Sequence, residues 1–440
     1  MRGTPGNEIV VAPSNLIDHS MPPEIWHRWF RGPVKHERPN PTSSSQIAVV
    51  VIGYRAQKGL VAAVTSLVNQ VCQAEIVVVN SGGGDAIALL QEFSGRIRII
   101  DIEEPLRVGA ARNIGIDASE APYVAFLAGD CIAKPGWASA RLRKHASGSR
   151  AVASAIAVPE GNNVAALAAH LLLFGLRSPQ IHPAHALRYG VSYRRDVFAE
   201  FGYFNSVARI AEDSGFSQRL GRGVFPAWVP EVQTGHANSR TLSSLVRDLY
   251  LRGVRAAPRS NGAHESQRWF ATLRAVINNA GQRTSAARKI ARDYLGFDSA
   301  KLAAIGPLLS VGSLAYCLGL ARGTARLGKA RSLMAQAYRE ASVVDIKKLE
   351  DAVSLDFENI PLRLACAEAN EPVSSEKARM HLQMAMDLSC FHSAKAQAMM
   401  EWLQERNRED DLETFIARLQ YCLPTGVVRE QAALSPQMKH

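Results

Sequence analysis

The chain has 440 residues, a net charge of +11 and 47% hydrophobic residues, enough to bury the cores of two or three domains without staples. Its six cysteines, at 72, 131, 317, 366, 390 and 422, form no CxxC or ligand-spaced pair, which excludes a disulfide scaffold and a zinc ribbon and suits reduced thiols in a cytosolic protein. The positive charge is concentrated in the hundred residues that follow Arg240 and favours anionic partners, an acidic membrane surface among them; with neither zinc spacing nor an RNA-binding aromatic signature, nucleic acid is not expected.

Residues 1–45 are rich in Pro, Ser and charge and read as a tether, with one apolar cluster (Ile25, Trp26, Trp29, Phe30) able to dock on the adjoining domain. Arg2, Glu8 and Asp18 interrupt any apolar core, so no signal peptide is expected. From Gln46 strands and helices alternate: IAVVVIGY (47–54), a helix with Leu60, Val64, Leu67, Val68 and Val71 on one face, then EIVVVN (75–80). Two apolar runs joined by a periodic helix make a right-handed βαβ unit. A helix around 86–93, the strand IRIIDI (97–102), a helix from Gly109 and a strand at Tyr123 extend it into a mainly parallel sheet covered on both faces, an α/β domain.

The ends of these strands carry the chemistry. The run from Tyr123 to Trp137 places Asp130 where a buried strand must end, ahead of a Pro-Gly turn; in open α/β sheets ligands bind beyond the carboxyl edge, so Asp130 is either a metal or substrate contact or a turn residue. The cluster NSGGGD (80–85) lacks GxGxxG spacing, and no GxxxxGK[ST] is present, so neither a dinucleotide site nor a P-loop is expected. Its glycines make a turn or touch a nucleotide. In VGAARNIGI (108–116) Arg112 and Asn113 stand in the first turn of a helix, suited to a phosphate or, for the arginine, to a neighbouring carboxylate.

Together these segments resemble glycosyltransferase family 2, the nucleotide-sugar-binding type with a GT-A fold. VVVIGYR is similar to the family's first strand, EIVVVNSGGGD to its second strand and base-binding loop, GAARNIG to its Ala-Arg-Asn segment, AFLAGDCIAKPGW to its Asp-x-Asp segment, and FGYFNSVARIAEDSGFSQRL (201–220) to its acceptor-side Glu-Asp segment, over about 46–253. The resemblance implies nucleotide-sugar contacts at Gly53, Tyr54, Asn80, Ser81, Arg112, Asn113, Gly129 and Asp130, catalytic acids at Glu212 and Asp213, and a Mn2+ or Mg2+ ion held by Asp130 and His236. The chain departs from the pattern in two places: Ala128 stands where the family has a carboxylate, and Asn80 and Ser81 stand in the loop where it has a base-reading Asp.

Further along, AVASAIAVP (151–159) and YGVSYRR (189–195) read as strands. VAALAAHLLLFGL (164–176), with His170, His182 and His185 in and after it, reads as a core helix or the lining of an acceptor site. Glu212 and Asp213 precede a helix, and His236 falls in the loop TGHANSR. Residues 255–295 are arginine-rich and helical, and Leu302 to Ala321 is a run of 20 uncharged residues between Lys301 and Arg322. Its glycines, serines and basic flanks suit a helix or broken hairpin that packs on the protein or lies in a membrane interface better than one that spans. At the C-terminus, 349–369 and 382–402 align at an offset of 33, with Leu349/Leu382, Ala352/Ala385, Leu355/Leu388 and Ala365/Ala398 in register, a period that resembles a tetratricopeptide-type repeat suited to a protein partner.

The expected organisation is an N-terminal extension (1–45), a GT-A domain (46–254), a basic and apolar connector (255–330), a helical-repeat domain (331–424) and a disordered tail (425–440). The resemblance implies a metal-dependent inverting glycosyltransferase, cytoplasmic or peripheral at the cytoplasmic face of the membrane. It would move a sugar from a nucleotide-diphosphate sugar, a UDP-sugar by expectation, to a hydroxyl of a carbohydrate or lipid-linked acceptor in polysaccharide, glycolipid or other glycoconjugate synthesis. The alternatives are a GT-A binding protein that has lost turnover and a nucleotidyltransferase, which needs a glycine- and lysine-rich first loop where GYRAQKG offers Lys58 and Gly59.

Overall fold

A computed structural model of the chain describes residues 29–30, 34–37, 45–161, 163–221, 223–257, 273–339 and 344–424. They fall into two compact units, one drawn from Met1–Pro159 and Leu176–Ala237, the other from Glu160–Gly175 and Asn238–His440.

The first unit is built on strands β1 (Val34–Glu37), β2 (Ile47–Tyr54), β3 (Glu75–Ser81), β4 (Arg98–Ile102), β5 (Tyr123–Ala128), β6 (Cys131–Ala133), β7 (Ala151–Ile156), β8 (Ser192–Arg194) and β9 (Ala227–His236), in the order β1-β4-β3-β2-β5-β8-β7-β9-β6. Its helices are α1 (Gly59–Val68), α2 (Ala86–Leu89), α3 (Val108–Asp117), α4 (Trp137–Ala146), α6 (Asp196–Phe201) and α7 (Glu212–Leu220), α5 being the segment of the second unit that intervenes in the chain. The pairs β4–β3, β3–β2 and β2–β5 are parallel, with Val50 opposite Val77 and Phe126. Both faces of β2 are buried, which is why it reads as an unbroken apolar run. Ile47, Val49 and Val51 point into a core with Leu60, Val64 and Leu67 of α1. By the two-residue alternation of a strand Val50 points the other way, against Gly115 of α3, where a Cβ would run into its methyls. Sheet and flanking helices thus make three layers.

The N-terminal segment departs from the tether expected for it. Val34–Glu37 pairs antiparallel with β4 as an edge strand, and Trp29 docks through Asp117, to which its indole N–H donates at 2.7 Å, and the ring of Tyr203. VKHE shows no apolar alternation, so only pairing with β4 makes it a strand. Ile25, Trp26 and the 425–440 tail lie outside the described residues.

The second unit is helical: α5 (Val164–Phe174), α8 (Leu242–Arg255), α9 (Leu273–Asp293), α10 (Ser299–Ala337), α11 (Ile346–Leu355), α12 (Ile360–Asn370), α13 (Ser375–Ser389), α14 (Ser393–Glu405) and α15 (Glu409–Cys422). Asp298, Asp345, Asn359 and Ser374 cap α10 to α13 by accepting from backbone N–H groups, worth about 1 kcal/mol each. α5 is a core helix, with His170 fully enclosed. α10 runs unbroken for 39 residues through Pro307, so the uncharged run is one continuous helix and not a hairpin. Gly253 of α8 and Gly319 and Gly323 of α10 let the two backbones touch, since a Cβ at any of them would strike the other helix's carbonyl oxygen. In the repeat region Leu349 and Leu382, like Ala352 and Ala385, are buried in pairs; Ala365 is buried whereas Ala398 is exposed.

Candidate active site

Tyr54 ends β2 and Ser81 ends β3 at the same sheet edge, where they are register partners. Tyr54 is 42% exposed, with its ring against Gly82 and the Arg55 guanidinium 5.2 Å from its centroid. Asn80 is fully enclosed: its amide donates to Asp101 Oδ1 (2.7 Å) and the Gly83 carbonyl (3.2 Å), and its oxygen accepts from the Ala56 N–H (3.0 Å). Asp101 also accepts from the Ala86 N–H at 2.9 Å; burial pushes its carboxyl up, against these hydrogen bonds. Gly53 leaves room for this network, since a Cβ there would sit 2.9 Å from Asn80 Oδ1. Asn80, expected at the nucleotide, therefore has every polar atom engaged in shaping the loop. Arg55 and Ala56 take left-handed φ values of 56° and 44° in that loop, a conformation that side chains adopt at a cost and that clusters at functional sites.

α3 begins at Val108, so Arg112 and Asn113 lie in its second turn and not its first. Asn113 is wholly buried and clamps the Phe204 backbone, donating to its carbonyl (2.8 Å) and accepting from its N–H (3.0 Å). Both polar atoms of its side chain are engaged in that clamp. Arg112 stacks on Phe204 and Phe126, at 4.9 and 5.5 Å, and pairs with Glu212 at 3.1 Å. The neighbouring carboxylate expected for it is thus Glu212.

β5 ends at Ala128 and turns through Gly129, whose N–H donates to the Ile52 carbonyl at 2.9 Å and whose Cβ, if present, would press on that carbonyl at 3.1 Å. Asp130 follows, its side chain about half exposed (52%), and β6 then pairs antiparallel with β9, Cys131 opposite His236. His236 thus closes a strand instead of lying in a loop. The imidazole Nε2 lies 3.5 Å from Asp130 Oδ2, Cys131 Sγ lies 3.5 Å from Asp130 Oδ1, and all three donor atoms fall within 4.8 Å of one another. Burial and then the Asp130 charge push the Cys131 thiol well up. Carboxylate, imidazole and thiol make a donor set fit for a divalent transition metal.

Glu212 and Asp213 open α7, inside its first turn, behind Ala211 at φ +60°. Phe216 anchors that helix in a nest with Tyr193, Phe198 and Phe204. The Asp213 carboxylate accepts from the Ser214 N–H at 2.8 Å, and the Ser214 hydroxyl lies 3.3 Å from Tyr189 Oη. Arg177 sits among these groups, 5.7 Å from the Tyr189 ring centroid; burial lowers its guanidinium to about 10, opposed first by Asp213 and then by Cys131. Arg177 and Cys131 escape a sequence reading. The signals were a lone arginine closing an apolar run, and a thiol next to Asp130.

Residues 48–202 match the family model described as glycosyl transferase family 2. That stretch, about a third of the chain, is similar to a glycosyl transferase family 2 domain. The chain's mixed sheet with helices on both faces is the GT-A arrangement expected of that domain. A protein of Haemophilus influenzae described as an uncharacterized glycosyltransferase is 33% identical over 96 residues, 21% of this chain and 30% of that protein. The chain therefore spans about a third of the length of the curated relative it matches. The crystal structure of S. aureus TarS 1–349 aligns with 68% of this chain and 94% of that one at 16% identity and a TM-score of 0.35. The mannosyltransferase PcManGT from Pyrobaculum calidifontis, in complex with GDP-Man and Mn2+, aligns with 82% and 92% at 15% identity and a TM-score of 0.34.

Proposed function

We propose that the chain is a divalent-metal-dependent inverting glycosyltransferase, transferring a sugar from a nucleotide-diphosphate sugar to a hydroxyl of a carbohydrate or lipid-linked acceptor. The observation that carries this reading is the cluster of Asp130, Cys131 and His236, with Arg177 in electrostatic reach of both Cys131 and Asp213, within and just beyond a family 2 match over residues 48–202. Asp130 and His236 would hold a divalent cation, which when bound would supply charge neutralisation to a departing diphosphate. The chain's own groups do the rest. The exposed Tyr54 ring offers a face on which a nucleobase stacks. Asp213 accepts the acceptor hydroxyl's proton as that oxygen attacks the anomeric carbon from the face opposite the leaving group. Arg112 holds Glu212 in an ion pair, which leaves Asp213 as the base of the two.

The second unit fits a peripheral place at a cytoplasmic membrane face. Among the described residues, Ser299–Ala337 is the helix long and apolar enough to cross a membrane, with 44% of its most apolar window buried. Val311, Leu314 and Leu318 are exposed along it, between Lys301 and Arg322. A partly covered helix with an apolar stripe and basic ends suits the interface better than a span. A partner-binding role for α11 to α15 belongs to the same proposal, with the linear division expected from the sequence replaced by the two units, since α5 and α8 go with the C-terminal helices and α10 runs through the expected boundary at 330.

The test is a panel of nucleotide sugars with Mn2+, read by thermal shift and by release of nucleoside diphosphate with and without a sugar acceptor. The proposal expects one donor class to stabilise the protein in a metal-dependent way and to turn over. Stabilisation without turnover on any acceptor would favour a binding protein, for which Ala128 in place of a carboxylate is the supporting observation.

A further inference from the structure

The candidate cation centre contains a donor that a carboxylate-only site lacks. Ala128 contributes no ligand atom, and the residue after Asp130 is a cysteine. Cys131 opens β6 as the register partner of His236 on β9. Residues directly opposite on antiparallel strands project to the same face, so the backbone itself brings thiol and imidazole together. Sγ and Nε2 flank the Asp130 carboxylate, each 3.5 Å from one of its two oxygens, within a triad spanning no more than 4.8 Å. A tetrahedral cation with bonds of roughly 2.3 Å to sulfur and 2.0–2.2 Å to nitrogen and oxygen sets neighbouring ligand atoms roughly 3.3–3.6 Å apart. The two contacts to Asp130 are of that size, one on each carboxylate oxygen, so the triad needs only a small side-chain adjustment from its 4.8 Å span to share one cation.

We propose that Cys131 is a third protein ligand of this centre and that its thiol makes the site select thiophilic divalent cations, such as Zn2+ or Co2+, over Mg2+. The proposal rests on the reading of Asp130 and His236 as cation ligands. Binding breaks the S–H bond, forms a sulfur–metal bond and releases one proton to solvent, with no change of oxidation state. Soft thiolate favours Zn2+ and Co2+, whereas Mg2+ prefers oxygen ligands and keeps its water.

The experiment is a Co2+ titration of the full chain followed by absorption. The expected result is a near-ultraviolet thiolate-to-Co2+ charge-transfer band with the intense visible bands of a tetrahedral site, absent in Cys131→Ser and in Asp130→Ala. Cys131→Ser should also lose about 10- to 100-fold in Zn2+ affinity while Mn2+ affinity changes less than about 3-fold. Cys131→Asp should shift preference from Zn2+ toward Mn2+. Co2+ that binds the native chain and needs Asp130, yet shows no charge-transfer band, overturns the thiolate and leaves the cation site standing. Absence of saturable Co2+ binding, or binding unchanged in Asp130→Ala, overturns the cation site and the proposal with it. The native spectrum decides even if Cys131→Ser does not fold.

Discussion

The ends of β3 and β5 lie in the same sheet and both carry polar residues, but they treat them in opposite ways. At the end of β3 Asn80 is fully enclosed and every polar atom of its amide is paired, to Asp101, Ala56 and Gly83. At the end of β5 Asp130 is about half exposed, with His236 and Cys131 only loosely against it at 3.5 Å. A buried amide with both its polar atoms paired inside the protein builds a loop; a carboxylate with open lone pairs beside two other donors can take a ligand. The same division separates Asn113, closed on the Phe204 backbone, from Asp213, half-buried at a helix start.

If the division is right, substitutions on the open side remove activity and those on the closed side remove stability. Asp130→Ala should lower transfer by about three orders of magnitude or more, the scale of a lost metal contribution of several kcal/mol, with the fold intact by circular dichroism. Asp213→Asn should cost roughly two to four orders of magnitude in kcat with donor affinity nearly unchanged, the span of a general base. If Asp213→Asn keeps full turnover and Glu212→Gln is inactive, the base is Glu212 and its pairing with Arg112 is part of catalysis. Asn80→Ala should instead destabilise by about 2–4 kcal/mol in denaturant unfolding, because it strands the buried Asp101 carboxylate.

The smallest expected effect concerns pH. His145 donates through Nδ1 to the Ser149 carbonyl (2.8 Å) and accepts through Nε2 from the Ser192 hydroxyl (2.9 Å), which itself accepts from Arg141. That donor chain requires the neutral ring, and burial lowers the imidazole from 6.5 to about 4, helped by Arg141 and Arg194. A depressed histidine contributes stability that is complete above the unfolded value and is lost as pH falls toward the folded one. Stability should therefore drop by no more than about 3 kcal/mol between pH 6.5 and about 4, and His145→Gln should flatten that part of the curve. An unchanged acid limb in the variant would assign the loss to carboxylates.

Much of the first unit was legible because its central strands are buried on both faces, as IAVVVIGY and EIVVVN show, and burial on both faces writes itself as an unbroken apolar run. β9 was not. It contains Pro230 and is half-exposed along most of its length, and a register shift between Ser154 and Ala155 of β7 lets it pass the proline. That hidden strand is what brings His236 to Asp130. Asp130 was singled out by its place at a strand end, and Asp213 by the resemblance of its segment to the family's acceptor-side Glu-Asp segment. The roles of Asn80 and Asn113 were not legible, because an asparagine has the same letters whether its amide faces a ligand or a buried backbone. The pairing of Arg112 with Glu212, and the place of Arg177 beside Asp213, exist only once separate segments have been brought together.

The most direct measurement is calorimetric titration of UDP and GDP into the native chain and into Asp130→Ala, in saturating Mn2+ and again in excess chelator. The open sheet edge predicts tight binding of one nucleotide to the native chain with metal, and a loss of about 10- to 100-fold or more both on chelation and on removal of the carboxylate. Nucleotide binding of equal strength in all four conditions would contradict it, and would move the site away from Asp130.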